Sequence, residues 1–293
     1  TVRSLSANVN FQHADRLAEL VKKHPELSVG CHINPVVGKP VLPAHKVATL
    51  LNDSGEFLYE DFIRQFMAKR IRLDELGAEM TAQVEKARDL AGATFSHVDF
   101  HMGYHRLPGL YGLFLQIAEK LGAGRIRTHV YEVGMESRIP RFRHLMHLIA
   151  KPSRLPKFAW NYLLRAKALH RRLTMPDRRV EITHMTSRPD RISVENYLAM
   201  LKHLPRGINE FVAHPGYIDG DLKRWSSYIE PRTRELQVLL DPRFRQGLEN
   251  SDVRLLGYRD ITTHLGSELG SSVLPSPNLF RTGAPGPSKI YRD

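Results

Sequence analysis

The sequence offers almost no cysteine chemistry. Cys31 is the only cysteine among 293 residues, so an intrachain disulfide framework and a cysteine-rich zinc site are both excluded. Any metal ion would therefore have to be held by histidine, aspartate or glutamate side chains.

Long apolar runs are also missing. No stretch of about 18 apolar residues is present, which argues against a membrane-spanning helix, and the first residues lack the basic-then-apolar layout of a secretory signal. We therefore expect a cytoplasmic protein.

With 293 residues and 42% apolar content, the chain can bury one large core. We predict a single domain over residues 1–266, followed by a flexible tail rich in glycine, serine and proline over residues 267–293.

Acidic residues are scarce in one segment of the chain. Residues 137–180 contain twelve Lys or Arg and one acid, Asp177, and so supply nearly all of the net charge of +12. This basic segment is compatible with an anionic lipid surface, a nucleic acid or an acidic substrate, and equally with a solvated loop and helix face. Aromatic and apolar side chains such as Trp160 and Leu163 interleave with its arginines, which is typical of a surface that lies on an anionic bilayer. A helical excursion that covers the domain is the alternative.

Short apolar runs alternate with amphipathic stretches along the chain. The apolar runs predict strands over residues 2–9, 27–33, 94–98, 125–133, 180–185, 209–214 and 253–258. Apolar residues at i, i+3 and i+4 predict helices over residues 14–23, 74–90, 110–121, 158–173, 194–204 and 232–240. The alternation predicts an α/β fold with a parallel sheet, either a (β/α) barrel or a doubly wound sheet.

Histidines gather where the predicted strands end. Those expected at one site are His32, His101, His105 and His214, with Asp99 beside them. The C-terminal ends of barrel strands converge on one face, so residues far apart in sequence can meet there. Neutral imidazole binds divalent ions well, and a catalytic metal site typically has three protein ligands and one open position. The pattern therefore predicts a metal site.

Asp99 lies two residues from both His97 and His101, which places all three on the same side of a continuing strand. Asp99 is either a direct ligand or a residue that orients a ligand histidine. His97 and His184 are each expected to be hydrogen-bonding structural residues.

Arg232 and Glu235 lie one turn apart on the helix predicted over residues 232–240. They are either an ordinary surface ion pair or a brace for the active face. Together with Asp99 and His105, they are the candidates for supporting the metal ligands or contacting the substrate.

Five sequence segments occur in an order that resembles one known family. They are Val29-Gly-Cys-His-Ile-Asn34 with Gly38-Lys-Pro40, His97-Val-Asp-Phe-His-Met-Gly-Tyr-His105, Glu210-Phe-Val-Ala-His-Pro-Gly216, Arg232-Thr-Arg-Glu-Leu236 and Leu256-Gly-Tyr-Arg-Asp260. Over roughly residues 1–260, the chain resembles the YdjC-like family, which includes the chitooligosaccharide deacetylases.

The resemblance implies a (β/α) barrel-like fold, a deformed TIM-type barrel, and an enzyme that removes acetyl groups from N-acetylated sugars with a divalent metal ion, magnesium or zinc. His32 and His101 match the family's metal-ligand histidines, and His214 matches the catalytic histidine of its His-Pro motif. The implied reaction is metal-assisted amide hydrolysis, in which a carboxylate base takes a proton from water and His214 protonates the leaving amine.

The resemblance also bears on substrate and partners. Family members associated with hopanoid synthesis act on a sugar carried by a lipid, so the expected substrate is an oligosaccharide or a glycolipid. Residues 137–180 would then make a peripheral membrane contact, and a homodimer is kept open as the assembly. No recognisable nucleic-acid module is present, so we expect no nucleic-acid partner. The alternatives are a catalytically impaired family member and a non-catalytic basic protein that binds an anionic membrane surface or nucleic acid.

The start of the chain departs from the family pattern. Members open with a strand that ends in Asn-Ala-Asp-Asp-Phe-Gly and supplies a carboxylate ligand and a base, whereas Thr1-Val-Arg-Ser-Leu-Ser-Ala-Asn-Val-Asn10 resembles the family's second strand. We therefore expect the first βα unit, about thirty residues, to be missing, with weak metal binding and low activity as the consequence. Asp99 or Asp15 would be the substitutes for the lost carboxylate.

Overall fold

The computed structural model describes residues 1–121, 124–133, 155–182 and 189–262. Within these ranges the strands are β1 (Ser4–Ala7), β2 (Ser28–Ile33), β3 (Phe95–Phe100), β4 (Tyr131–Val133), β5 (Arg178–Glu181) and β6 (Asn209–Phe211). The α-helices there are α1 (Arg16–Lys23), α2 (Phe62–Met67), α3 (Leu73–Ala91), α4 (Leu110–Lys120), α5 (Leu155–His170), α6 (Val194–His203), α7 (Gly220–Trp225), α8 (Glu230–Leu240) and α9 (Pro242–Glu249). The tail predicted over residues 267–293, the part of the basic segment before Leu155, and His184 lie outside the described residues.

The described strands form two parallel sheets. In the first sheet the order is β1-β2-β3, and in the second it is β4-β5-β6. All the pairings are parallel, so the C-terminal ends of neighbouring strands lie at the same sheet edge. In the first sheet His32 of β2 lies directly opposite Asp99 of β3. Parallel sheets with intervening helices confirm the mixed α/β architecture that the alternation predicts.

Residues 124–130 connect the two sheets. Three backbone hydrogen bonds make the connection: from Val98 N–H to Arg125 O at 3.1 Å, from Ile126 N–H to Thr174 O at 2.9 Å and from Arg179 N–H to Val130 O at 2.8 Å. Pairing thus passes from β3 through this segment to β5. Closure of the strands into a barrel remains a prediction, and so does the single-domain boundary at residue 266.

Strands β2 and β3 of the first sheet are buried on both faces. All residues of β2 and β3 are buried except His32 and Phe95, which are partly exposed, as expected for parallel strands covered by helices. On α3, Leu76, Met80 and Val84 recur every fourth residue and are fully buried. Truncating any one of these three side chains to alanine is expected to cost about 2–5 kcal/mol. A second core, around Val180, Tyr197, Met200 and Phe244, packs α6 and α9 near β5.

Helix α3 also holds the loop that follows β2. The carboxylate of Glu79 accepts hydrogen bonds from the backbone N–H groups of Val41 at 2.8 Å and Leu42 at 3.0 Å. The amide of Gln83 bonds both the N–H and the carbonyl of Asn34, at 2.7 and 3.0 Å. Glu79 and Gln83 are fully buried. Because buried polar groups need partners, the loop over residues 34–42 is fixed to the helix.

Most of the predicted elements are confirmed, with shifts of a few residues at their ends. The helices predicted over 14–23, 74–90, 110–121, 158–173, 194–204 and 232–240 correspond to α1, α3, α4, α5, α6 and α8. The shorter helices α2, α7 and α9 were not predicted. No helix in the described ranges is long and apolar enough to cross a membrane.

The strand predicted over residues 253–258 is wrong. Residues 253–257 have no regular structure, and a 3-10 helix begins at Tyr258. Side chains take the backbone donors that a strand ladder would need: Asp260 accepts from Gly257 N–H at 2.7 Å, and Ser4 Oγ accepts from Tyr258 N–H at 3.1 Å. Gly257 also lies so close to β2 that an added Cβ would come within 2.4 Å of Ser28 Oγ. This segment therefore packs against β1 and β2 without joining the sheet.

Candidate active site

Two histidines face each other at the carboxyl end of the first sheet. His32 lies near the end of β2, and His101 is the first residue after β3. His32 Nε2 and His101 Nδ1 are 3.3 Å apart, and the two rings meet edge to face with centroids 5.4 Å apart. The parallel register of β2 and β3 is what brings together residues 69 positions apart in the chain.

Asp99 fixes the orientation of His32. Its Oδ1 accepts a hydrogen bond from His32 Nδ1 at 2.9 Å, and its Oδ2 is 2.5 Å from Arg127 Nη1. Burial alone would raise the pKa of Asp99, but the positive charge of Arg127 and the contact with His32 outweigh it and hold that pKa well below its usual range. The carboxylate therefore only accepts, so His32 donates from Nδ1 and its other ring nitrogen, Nε2, faces His101.

The histidine pair fits two adjacent ligands of a divalent ion. Nitrogens that lie about 2.0–2.1 Å from a tetrahedral ion are about 3.3–3.4 Å from each other, which matches the observed separation of 3.3 Å. Burial, reinforced by His32, lowers the pKa of His101 to about 3, so this ring is neutral and able to bind a metal at pH 7. A hydrogen bond from Asp99 to the far nitrogen of His32 is typical of metal-bound histidine.

A third ligand is not present in the part of the chain that the structure describes. No group of three His, Cys, Asp or Glu side chains there could hold a metal ion. Both oxygens of Asp99 are engaged, by His32 and Arg127, which favours the orienting role over direct ligation. Asp15 is exposed just before α1.

Arg127 links the two sheets at this point. Its Nη1 contacts Asp99, and its Nε donates to Glu210 Oε1 of β6 at 2.8 Å. The Arg127 side chain is only 17% exposed, and those of Asp99 and Glu210 are 1% and 8% exposed. Tyr258 is buried beside this group, and burial, with Glu210 acting in the same direction, raises the pKa of its hydroxyl well above the usual value.

His214 lies three residues after β6 and is held through its backbone. The N–H of His214 donates to Glu235 Oε2, whose other oxygen accepts from the Tyr228 hydroxyl at 2.7 Å. Arg232 donates to the carbonyl oxygens of Tyr228 at 2.9 Å and His214 at 3.4 Å. Glu235 is 5% exposed, and burial raises its pKa. Arg232 and Glu235 thus both contact the backbone of the His-Pro segment.

The imidazole of His214 is neutral at pH 7. Burial lowers its pKa to about 3, and the positive charges of Arg179 and Arg232 act in the same direction. Its ring lies 5.8 Å from the ring of Tyr228, edge to face. In this form His214 can take up a proton, and it can donate one only after it has done so.

His97 and His105 are both buried. His97 bonds Ser6 Oγ at 3.0 Å and Ser96 Oγ at 2.8 Å and stacks on Tyr258, in agreement with the structural role expected for it. His105 is buried among aromatic rings, with Phe114 at 4.6 Å and His129 at 5.0 Å between centroids. Burial keeps the pKa of His105 well below its usual value.

One cavity of about 2460 Å³ joins these elements. Its wall includes His32, His101, His105, Arg127, His214 and Arg232. The structure thus brings the candidate histidines of three strand ends to one space, with Asp99 and Glu235 behind them. Arg127, Glu210 and Tyr228 were not predicted as site residues. The position of Glu210, four residues before His214, was the one signal in the sequence that pointed to any of these three.

Comparison with known proteins finds a family and several related enzymes. The family model described as YdjC-like protein matches residues 1–250. A carbohydrate deacetylase of Listeria monocytogenes is 28% identical over 264 residues, covering 89% of both chains. A carbohydrate deacetylase of Geobacillus stearothermophilus is 27% identical, covering 88% of this chain and 86% of that one. A chitooligosaccharide deacetylase of Yersinia enterocolitica is 28% identical over 88% of both chains.

A solved structure of another protein has a similar fold. A protein of Enterococcus faecalis, described as a proposed cellobiose-phosphate cleavage protein, superposes with a TM-score of 0.65 over 88% of this chain and 87% of that one, at 22% identity. The related enzymes named above are hydrolases of amide bonds. The match of the family model to residues 1–250, in agreement with the five motifs and their order, shows that this chain belongs to the YdjC-like family.

Proposed function

We propose that this protein is a carbohydrate N-deacetylase, which hydrolyses the acetamide of an N-acetylated sugar to acetate and a free amine. The observation that carries the proposal is the pair of imidazole nitrogens, His32 Nε2 and His101 Nδ1, 3.3 Å apart in a cavity that His214 also lines. The names of the relatives in Listeria and Yersinia agree with this chemistry.

The pair would hold a divalent ion, magnesium or zinc, through His32 Nε2 and His101 Nδ1. Such an ion polarises a carbonyl oxygen and lowers the pKa of water. Imidazole nitrogens suit zinc better than magnesium, which prefers oxygen ligands.

His214 supplies the proton transfer in this proposal. As neutral imidazole it takes a proton from the water whose oxygen attacks the acetyl carbon. It then gives that proton to the sugar nitrogen as the carbon–nitrogen bond breaks. This differs from the reaction implied by the family resemblance, because one group serves in turn as base and acid and no separate carboxylate base is required. Glu235 and Arg232 hold the His214 backbone in place for both transfers.

The substrate is an N-acetylated oligosaccharide or the sugar of a glycolipid. A cavity of about 2460 Å³ exceeds the roughly 300–1,000 Å³ of a typical small-molecule pocket, which supports a ligand of several sugar units or one with a lipid attached. The exposed face of α5 supports the lipid-borne form, since Leu155, Tyr162, Leu163 and Leu169 are between 46% and 57% exposed on a basic helix. We propose that this face contacts an anionic membrane.

The test is acetate release from chitobiose and longer N-acetylglucosamine oligomers, with magnesium or zinc added. Acetate and free amine should appear in equal amounts, and His32→Gln, His101→Gln and His214→Gln should each abolish both. His45→Gln is the matched control, because His45 is exposed away from the cavity. If no acetate is released with either metal, or if His214→Gln turns over at the normal rate, the proposal fails.

A further inference from the structure

Arg127 joins both halves of the site, although it touches neither of the proposed metal-binding nitrogens. We propose that Arg127 is a positioning residue. One edge of its guanidinium contacts Asp99 and another contacts Glu210. Through Asp99 it sets the orientation of the His32 ring, and through Glu210 it connects that ring to the strand that precedes His214. The part of this inference that concerns metal binding rests on the proposed function.

The first step is the chain of contacts from Arg127 to His32. Nη1 of Arg127 lies 2.5 Å from Asp99 Oδ2, and Oδ1 of the same carboxylate accepts from His32 Nδ1 at 2.9 Å. A carboxylate is rigid and planar, so holding one oxygen leaves it one orientation about its Cβ–Cγ bond. Without Arg127, the carboxylate of Asp99 could rotate, and His32 would lose the partner that selects its Nδ1–H form.

The second step is the contact on the other side. Nε of Arg127 donates to Glu210 Oε1 at 2.8 Å, so the guanidinium uses a different edge for each acid. Arg127 follows Ile126, which pairs with Val98 of β3, whereas Glu210 belongs to β6 of the second sheet. One side chain thus spans from the sheet that carries His32 to the strand that precedes His214.

Holding two carboxylates in fixed directions requires arginine at position 127. Arginine has a planar fork with five donors, and lysine has a single ammonium that acts as a point charge. A lysine at position 127 would keep the positive charge between Asp99 and Glu210 but could not hold both acids in fixed directions. The charge-conserving substitution Arg127→Lys therefore separates positioning from simple charge neutralisation.

Arg165→Lys is the matched control. Arg165 is 19% exposed, close to the 17% of Arg127, and it also pairs with a carboxylate, that of Asp177 at 3.6 Å. It donates to Thr128 Oγ1 at 3.0 Å, beside Arg127 in the chain, and does not line the cavity. The two substitutions thus impose the same chemical change at similar burial, one at the site and one behind it.

The experiment has two readouts on the full chain. In metal-free protein, long-range ¹H–¹⁵N NMR of the histidine rings should show His32 as the Nδ1–H tautomer, with its signal assigned by loss in His32→Gln. Arg127→Lys should give a mixture of the two tautomers, and Arg165→Lys should leave the signal unchanged. In calorimetric titration with zinc, Arg127→Lys should bind about tenfold to a hundredfold more weakly, with Arg165→Lys again unchanged.

The outcomes separate the inference from the function on which it rests. An unaltered His32 tautomer in folded Arg127→Lys would overturn the positioning role, and so would zinc affinity equal to that of the unsubstituted protein. The proposed metal site fails if the unsubstituted protein does not bind zinc, or if His32→Gln binds zinc equally well. The tautomer measurement still decides the role of Arg127 in that case. Should Arg127→Lys not fold, Glu210→Gln removes one anchor and keeps the other. It should shift the tautomer in the same direction, and no shift there would likewise overturn the inference.

Discussion

The stability of this protein should depend on pH through His97, and the dependence can be isolated by one substitution. His97 is 1% exposed. Ser96 Oγ donates to the carbonyl oxygen of Val29 at 3.0 Å, so it accepts from His97 Nδ1–H at 2.8 Å, and Ser6 Oγ donates to His97 Nε2 at 3.0 Å. The neutral ring therefore has one donor and one acceptor satisfied. Protonation would add a buried charge without a counter-ion in contact with the ring.

The magnitude follows from the pKa. Burial is the main cause that lowers the pKa of His97 from 6.5 to about 3. Because the folded state has the lower pKa, the unfolded chain takes up the proton first as the pH falls. The stabilisation is fully present above about pH 6.5 and is lost as the pH falls towards 3. Between pH 8 and pH 5 the loss from this one residue is about 2 kcal/mol.

The assay is urea unfolding at pH 8, 7, 6 and 5 on the unsubstituted protein and on His97→Gln. The substitution will lower stability at every pH, because the stack of His97 on Tyr258, at 3.8 Å between centroids, is lost. The informative quantity is the change between pH 8 and pH 5, which should be about 2 kcal/mol smaller in His97→Gln. Exposed His45 provides the control, and His45→Gln should follow the unsubstituted protein. Equal changes in His97→Gln and the unsubstituted protein would refute the reasoning.

Three further predictions concern packing, the brace of His214 and the basic helix. Gly30→Ala should destabilise the fold by about 1–3 kcal/mol, because the added Cβ would come within 2.4 Å of the His97 ring. Gly112→Ala on α4, where the added Cβ meets open space, should be neutral or stabilising by up to about 1 kcal/mol. Equal unfolding free energies of the two variants in urea would contradict this. Glu235→Ala should lower the free energy of unfolding by about 1–3 kcal/mol for each of the two donors left without an acceptor, His214 N–H and the Tyr228 hydroxyl, and should also slow acetate release. Glu235→Gln keeps an acceptor and should lower stability less. An alanine variant as stable as the unsubstituted protein would exclude this role of Glu235. The chain should float with anionic liposomes at low salt and be released in about 1 M salt, where the Debye length is roughly 3 Å. Leu163→Glu on α5 should weaken flotation, whereas Leu73→Glu on α3, a residue of similar exposure, should not. Absence of co-migration at low salt would refute the membrane proposal.

The histidine pair was predictable because it depends on local rules. His32 and His101 each stand where an apolar run ends, and parallel strands bring such ends together. The sequence alone does not decide whether Asp99 is a ligand or an orienting residue. Only the register of β2 against β3, which places Asp99 opposite His32, favours one role over the other, and register depends on packing that a single strand does not reveal.

Arg127 and the segment over residues 253–258 show where sequence patterns stop being informative. A charged residue in a short mixed run reads as a surface residue, and the partners of Arg127 lie 28 residues before it and 83 after it. Residues 253–258 have the apolar content of a strand, yet side chains of Asp260 and Ser4 take the donors at its end. In both cases the deciding contacts are between side chains distant in sequence, which periodicity does not encode.

The attachment of residues 34–42 to α3 has a consequence for how substrate preference can diverge in such a protein. Asn34 and Val37 form part of the cavity wall. The buried Gln83 holds the backbone of Asn34, the Asn34 side chain accepts from Val37 N–H at 3.0 Å, and the buried Glu79 holds Val41 and Leu42 of the same loop. Replacing or lengthening this segment would remove the loop donors and acceptors that Glu79 and Gln83 bond, and would leave these buried side chains with their mutual hydrogen bond at 2.8 Å, so we expect changes here to reduce stability. Tyr217 also lines the cavity, but its side chain is 80% exposed and so is not fixed by buried partners in the way that Asn34 is. A change at Tyr217 is therefore expected to cost less stability than a change in residues 34–42, so preference for a larger or smaller sugar can diverge at one part of the cavity wall while another part stays fixed.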